Sequence, residues 1–218
     1  MSTYPRSDER KAMVERQIAA RGIRDRRVLA AMEEIPRHLF IPPPYDRSAY
    51  EDYPVPIGNG QTISQPYIVA LMTDLLHPYP TDNALEIGAG SGYQAAILSL
   101  LVRQVTTIER IARVAALARS NLEALGIHNV RIIEGDGTLG YAERAPYDKI
   151  IITAATPEVP GPLIDQLAEG GSLVAPVGGH DLQELIVIKK HQGALTRESH
   201  GGVRFVPLIG QHGWNGET

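Results

Sequence analysis

Residues 84–92 read Ala84-Leu85-Glu86-Ile87-Gly88-Ala89-Gly90-Ser91-Gly92, an apolar run that breaks into three glycines on alternate positions. A strand that ends this way bends the backbone tightly and keeps side chains out from between its amides and a ligand. The helix that follows then points its positive end into the same space. The spacing narrows the choice of ligand. A dinucleotide fingerprint, G-x-G-x-x-G, needs its third glycine where this chain has Tyr93. No Gly-Lys-Ser/Thr triplet is present, so the phosphate loop of nucleotide hydrolases is excluded.

Outward from this segment the chain alternates between two hydrophobic periods. After the strand Ala84–Gly88, a helix face is marked by Tyr93, Ala96, Ile97, Leu100 and Leu101. Val105–Glu109 reads as a strand, and Ile111, Val114, Ala118, Leu122 and Leu125 as a helix closed by Gly126. Val130–Glu134, Lys149–Thr153, Leu173–Val177 and Leu185–Lys189 read as further strands. A short helix through Leu163, Ile164 and Leu167 is expected to end at Gly170-Gly171, and Gly193 to turn a hairpin toward Val203–Leu208. Such alternation predicts an α/β fold with a doubly wound, mostly parallel sheet, helices on both faces and an antiparallel closing hairpin.

The residues before this core form a helical extension. One helix is expected from Ser7 or Asp8 to Gly22, and a second is capped by Asp25 and stops before Pro36. Seven prolines between 36 and 66 predict a long loop or short edge strands, and a helix through Ile68, Leu71, Met72, Leu75 and Leu76 starts near Pro66. The expected organisation is a single domain over 1–218, with an N-terminal portion over 1–80 and the α/β core over 81–218.

Composition excludes several function classes. The 218 residues are 43% hydrophobic and 21% charged, ordinary for one globular core. A net charge of −4 supplies no basic field for nucleic acid or anionic membrane. With no cysteine there is no disulfide, thiolate chemistry or cysteine-held zinc. The seven histidines show no metal-ligand spacing. Without an apolar leader or membrane-length run, a cytoplasmic monomer is expected, and Trp214 is expected to pack on the core.

Three carboxylates fall where an open α/β sheet holds its ligand, at the carboxyl ends of strands. Glu109 ends the second strand and is suited to accept both hydroxyls of a ribose. Asp136, in Glu134-Gly135-Asp136-Gly137, is suited to accept from an adenine amino group. Glu86 is suited to orient the rest of the ligand or to hold the loop. The whole pattern, Glu86-x-Gly88-x-Gly90-x-Gly92, resembles the cofactor loop of S-adenosylmethionine-dependent methyltransferases.

A second stretch carries a more specific resemblance. Pro56-Ile57-Gly58-Asn59-Gly60-Gln61-Thr62-Ile63-Ser64-Gln65-Pro66-Tyr67 is similar to the signature of protein-L-isoaspartate O-methyltransferases. So are Leu85–Ala96, Gly135-Asp136-Gly137, Thr153-Ala154-Ala155 with Pro160 and Leu163, and Arg204-Phe205-Val206-Pro207-Leu208. The likeness extends in order from about residue 10 to 214. It implies a Rossmann-like fold, S-adenosylmethionine as methyl donor with S-adenosylhomocysteine as product, and isoaspartyl proteins and peptides as substrates. It implies Ser64 as the catalytic residue, positioning the acceptor carboxylate, with Ile57, Ala154 and Ala155 beside it. It also implies cofactor contacts from Gln61, Thr62, Ile63, Glu86, Gly88, Gly90, Gly92, Glu109, Arg110, Asp136 and Gly137. Two departures stand out: Thr156, expected to alter the lip of the substrate pocket, and Asn59, where an aromatic is common.

The chemistry is consistent with these residues. A carboxylate is ionised at neutral pH and attacks a sulfonium methyl without a general base, so the lack of Cys/His or Ser/His/Asp spacing is no obstacle. Competing readings are a methyltransferase for RNA or a small molecule, a noncatalytic adenosine-binding module, and a nicotinamide-dependent reductase. The acidic charge weighs against the first, the joint presence of Ser64, Gly88, Glu109 and Asp136 against the second, and Tyr93 against the third.

Overall fold

A computed structural model of the protein describes residues 4–215. Residues 1–3 and 216–218, the two ends of the single domain expected from the sequence, lie outside the described residues. The central sheet contains β3 (Asn83–Ile87), β4 (Gln104–Glu109), β5 (Val130–Glu134), β6 (Tyr147–Ile152), β7 (Leu167–Gly178), β8 (Gln183–His191) and β9 (Ala194–Val203). Its order is β5-β4-β3-β6-β7-β8-β9. The five strands from β5 to β7 pair in parallel, and β8 and β9 close the far side antiparallel. Strand β3 has β4 on one side and β6 on the other, so the winding reverses there. That reversal opens a crevice at the carboxyl ends of the strands.

Period-2 alternation sends side chains to two cores. Ala84, Val105, Ile151 and Val174 pack on one face with the helices, while Leu85, Ile87, Ile108, Ile150 and Ile152 pack on the other. The helical face carries α1 (Ser7–Met13), α2 (Arg26–Glu34), α3 (Pro66–Leu76), α4 (Tyr93–Ser99) and Leu122 of α5 (Ala112–Ala124). The opposite face is covered by α6 (Gly161–Asp165) and the short turns on either side of Tyr141. Asp25 caps α2 by accepting the Arg27 N–H, and Pro66 opens α3, as their sequences imply. The first helix continues through one π turn and a 3-10 turn before Gly22 stops it at φ +103°. Between residues 36 and 66 lie two 3-10 turns and the hairpin β1 (Val55–Gly58) and β2 (Gln61–Ile63). Its turn, Gly58-Asn59-Gly60, has positive φ throughout, which suits asparagine between two glycines.

Three local expectations are corrected. The helix around Leu163 stops at Asp165, and Gly170 and Gly171 lie inside β7, where Gly170 takes φ +78°. The hairpin turn at Gln192-Gly193 forms, but β8 pairs with Ala194–Val203, not with Val203–Leu208. Residues 204–208 cross back toward the strand ends, and Ala155 meets Pro207 in an isolated bridge. Trp214 does not join either core; its ring lies on His180, centroids 3.7 Å apart.

Candidate active site

The glycine turn sits at the winding reversal. Gly88, Gly90 and Gly92 all take positive φ, and a Cβ at Gly88 would meet Thr153 Oγ1 at 2.6 Å. The Thr153 hydroxyl reaches the carbonyls of Ile87 and Gly88, tying the end of β6 to the turn. Gly92 serves packing instead, since its would-be Cβ lies 3.3 Å from the Ala118 carbonyl and its absence lets α4 approach α5. The turn's amides are largely occupied. Gly88 and Ala89 donate to Ile108 O, Gly92 to Ala89 O, and Gly90 to Glu109 Oε2 at 3.1 Å. A loop whose amides are spent in this way is a poor phosphate nest, which agrees with a ligand lacking pyrophosphate.

Glu109 is 7% exposed and lines the cleft. One carboxylate oxygen holds the Gly90 N–H and the other the Ile111 N–H at 3.0 Å. Each oxygen keeps a lone pair for an incoming hydroxyl, so the geometry fits a ribose diol. Beyond Glu109 the cleft continues as an apolar slot between Ile87, Ile108, Ile111, Gly137, Leu208 and Ile209, suited to a flat base. Arg110 borders this part. On the other side Gln61, Thr62, Ile63 and Ser64 close over the turn, with Ala154 at the edge.

Other expected site residues stand elsewhere. Glu86 is fully buried, outside the cleft lining, on the face of β3 that Ala84 shares. Its carboxyl lies beside the hydroxyl of Thr107, in register on β4, which offsets the cost of burying its charge only in part. Burial pushes its carboxyl up to about 8, with the charge of Glu109 adding to the shift. It lies beneath the site and has no access to a ligand. Asp136 is already engaged: Oδ1 accepts from the Thr138 amide and hydroxyl, and Oδ2 from the Gln211 N–H at 2.7 Å. Partial burial alone would raise its carboxyl, but these bonds together hold it below the ordinary aspartate range. They also anchor the 208–214 turn to the end of β5. The adjacent Gly137, not Asp136, lines the slot. Ile57 and Ala155 are buried behind the walls, and Ala155 pairs through its backbone with Val206 and Leu208. Thr156 is buried, its hydroxyl donating to Glu158 O, and it lines neither the cleft nor the groove beside it.

A second, open groove of about 790 Å³ adjoins the cleft. Thr62, Ser64, Thr153, Phe205 and Val206 line both, and Pro54, Gln65, His180, Leu182 and Arg204 extend the groove outward. The N-cap of α3 is Gln65 and the helix has no side-chain cap, so Ser64 does not serve as one. Among the described residues the Ser64 hydroxyl has no hydrogen-bond partner, and it stands at the junction of cleft and groove.

The sequence reading missed Met72, Ser91, Tyr93 and Gln94 on the cleft wall. Tyr93 had a signal, since it follows the glycines directly. The buried Arg37 guanidinium, held near 10 by loss of solvent, lies 5.0 Å from the centre of the Tyr93 ring and backs it.

A family model described as protein-L-isoaspartate(D-aspartate) O-methyltransferase matches residues 8–213. A protein-L-isoaspartate O-methyltransferase of Methanoregula boonei is 66% identical over 211 residues, 97% of each chain. Its counterpart in Methanoculleus marisnigri is 56% identical over 218 residues, all of this chain and 99% of the relative. A solved protein-L-isoaspartate O-methyltransferase superposes with a TM-score of 0.83 at 30% identity, over 95% of this chain and 67% of that one. A Plasmodium falciparum structure, described as a candidate enzyme of this kind in complex with S-adenosyl-L-homocysteine, matches with a TM-score of 0.78 at 28% identity. That match covers 92% of this chain and 98% of the other.

Proposed function

The chain belongs to the protein-L-isoaspartate O-methyltransferase family, and from that premise we propose that it methylates the free carboxylate of L-isoaspartyl residues in damaged proteins and peptides. One observation carries the reading. Ser64, its hydroxyl without a protein partner among the described residues, lines both the cleft that ends in Glu109 and the open groove beside it.

When bound, S-adenosylmethionine supplies an electrophilic methyl on a sulfonium. Glu109 accepts the ribose hydroxyls, oriented by the Gly90 and Ile111 amides. Ile108, Ile111 and Gly137 hold the base in the apolar slot, with Arg110 at its border. Gln61, Thr62 and Ile63 close the cleft from the hairpin side. Ser64 donates a hydrogen bond to one oxygen of the acceptor carboxylate, leaving the other free to attack. The carboxylate is ionised at neutral pH, so no general base is required. Thr153, Phe205 and Val206 narrow the junction and exclude water, which strengthens the attraction between opposite charges there. The resulting methyl ester leaves the groove; the following backbone amide nitrogen attacks its carbonyl with loss of methanol, and water reopens the succinimide partly to normal aspartate.

An isoaspartyl chain has one extra backbone methylene, so recognition depends on backbone contacts to an extended segment, which the open groove accommodates. We further take the chain to act as a monomer of one methyltransferase domain, because the cleft and groove are lined by residues of one copy, and we place it in the cytoplasm as a proposal. Among the described residues no helix is long and apolar enough to cross a membrane. The test is incubation with methyl-labelled S-adenosylmethionine and paired isoaspartyl and aspartyl peptides. Base-labile label on the isoaspartyl member alone is expected; near-equal labelling of the two would refute the assignment.

A further inference from the structure

The groove outside Ser64 has a charge character opposite to that of the whole chain. Its lining includes one permanent cation, Arg204, and no carboxylate, whereas the chain carries a net charge of −4. Arg204 is exposed, and among the described residues it makes no hydrogen bond, ion pair or ring contact. Elsewhere Arg6, Arg21, Arg27 and Arg119 are taken up in ion pairs, and Arg10 and Arg37 in the interior. Asp181 and Glu184, which flank Leu182 and Gln183 in sequence, lie outside the groove lining.

The rim that carries this cation is built rather than loose. Gln183 is 1% exposed, and its carboxamide spans two segments. Its Oε1 accepts the Phe205 N–H at 2.9 Å, and its Nε2 donates to the carbonyls of Gly179 and His180. One buried side chain therefore sets both the strand exit beside Arg204 and the hairpin that brings His180 and Leu182 to the groove. His180 is in turn stacked on Trp214. Val203, buried at the end of β9, fixes the other side of Arg204.

We propose that Arg204 is a specificity-determining residue that selects isoaspartyl substrates bearing acidic side chains next to the damaged residue. The proposal rests on the reading of the groove as the acceptor site. A free guanidinium with no competing carboxylate in the lining attracts an anionic flank and repels a cationic one. Because the pair forms in exposed surroundings, the effect is modest and salt-sensitive.

The experiment uses three isoaspartyl peptides with Glu, Gln or Lys on both sides of the isoaspartyl residue, assayed with wild type, Arg204→Gln and Arg204→Lys at low and high salt. In wild type, KM should rise from the Glu to the Gln to the Lys peptide, by about two- to fivefold per step, with little change in kcat. Arg204→Gln should erase the order, Arg204→Lys should keep it, and high salt should flatten it. Three results overturn the proposal while leaving the activity assigned: equal KM values in wild type, an order that survives Arg204→Gln, or one uniform KM increase for all peptides in that variant. The last would mean that Arg204 holds the acceptor carboxylate itself. Absence of methylation on every isoaspartyl peptide would instead remove the functional reading on which this inference stands.

Discussion

The donor cleft and the acceptor groove meet at Ser64, yet they are built by opposite means. The cleft is made of strand ends and the glycine turn, with buried walls and a carboxylate, Glu109, held by two backbone amides. The groove draws mostly on connecting segments: the hairpin exit at Thr62–Gln65, the β7–β8 turn, and residues 202–207 at and beyond the end of β9. Two of its polar groups, Ser64 and Arg204, are free of protein partners among the described residues. A pre-formed, over-determined cleft suits a ligand that is always the same. An open groove with unspent donors suits acceptors that share one carboxylate and differ elsewhere.

The largest effect that would break this contrast is in the turn itself. Gly88 has φ +95° and no room for a Cβ beside Thr153. Gly88→Ala should weaken cofactor binding by about 100-fold, from backbone strain plus displacement of Thr153. Gly193→Ala also strains a positive φ but meets nothing within 4 Å, so calorimetry should find its cofactor affinity unchanged. Equal losses in the two variants would mean that strain anywhere, rather than the cleft, governs binding.

A smaller effect separates the two acidic residues of the donor side. Glu86 is protonated in the folded protein up to about pH 8, whereas an unfolded glutamate ionises near its ordinary value of 4.5. Between those pH values the folded state binds more protons, so this group makes stability fall as pH rises through the window and then level off. Glu86→Gln is neutral throughout. Relative to wild type its unfolding free energy should improve between pH 5 and 8 by roughly 1–3 kcal/mol. A difference independent of pH would show a charged Glu86 and return it to the ligand-binding set.

The same contrast explains what can be read from the sequence. The strands around Gly88 are legible because both faces are buried and helices alternate with them, so the period and the glycines point the same way. Glu109 follows from its position at a strand end. The last strand is illegible for a physical reason: β9 is an edge strand exposed along nearly its whole length, so Ala194–Val203 carries no apolar alternation. The apolar residues just after it, Phe205, Val206 and Leu208, imitate a strand but serve the cleft wall. Asp136 does stand at the end of its strand, but the donors it holds come from Thr138 and Gln211, the latter remote in sequence. The groove is the least legible region, because its walls converge from segments around 54–68, 180–182 and 202–207 that no local pattern connects. Only the resemblance around Gln61–Pro66 points to Ser64.

The central claim, that Ser64 serves the acceptor and Glu109 the donor, is tested most directly by measuring cofactor affinity and turnover side by side in Ser64→Ala and Glu109→Gln. Loss of a hydrogen bond to a charged group should lower turnover of Ser64→Ala by about 10- to 100-fold, with cofactor affinity within about twofold of wild type. Glu109→Gln should weaken cofactor binding by about tenfold and change turnover at saturating cofactor much less. A Ser64→Ala enzyme that loses cofactor affinity while keeping wild-type turnover would contradict the account and assign Ser64 to the donor cleft.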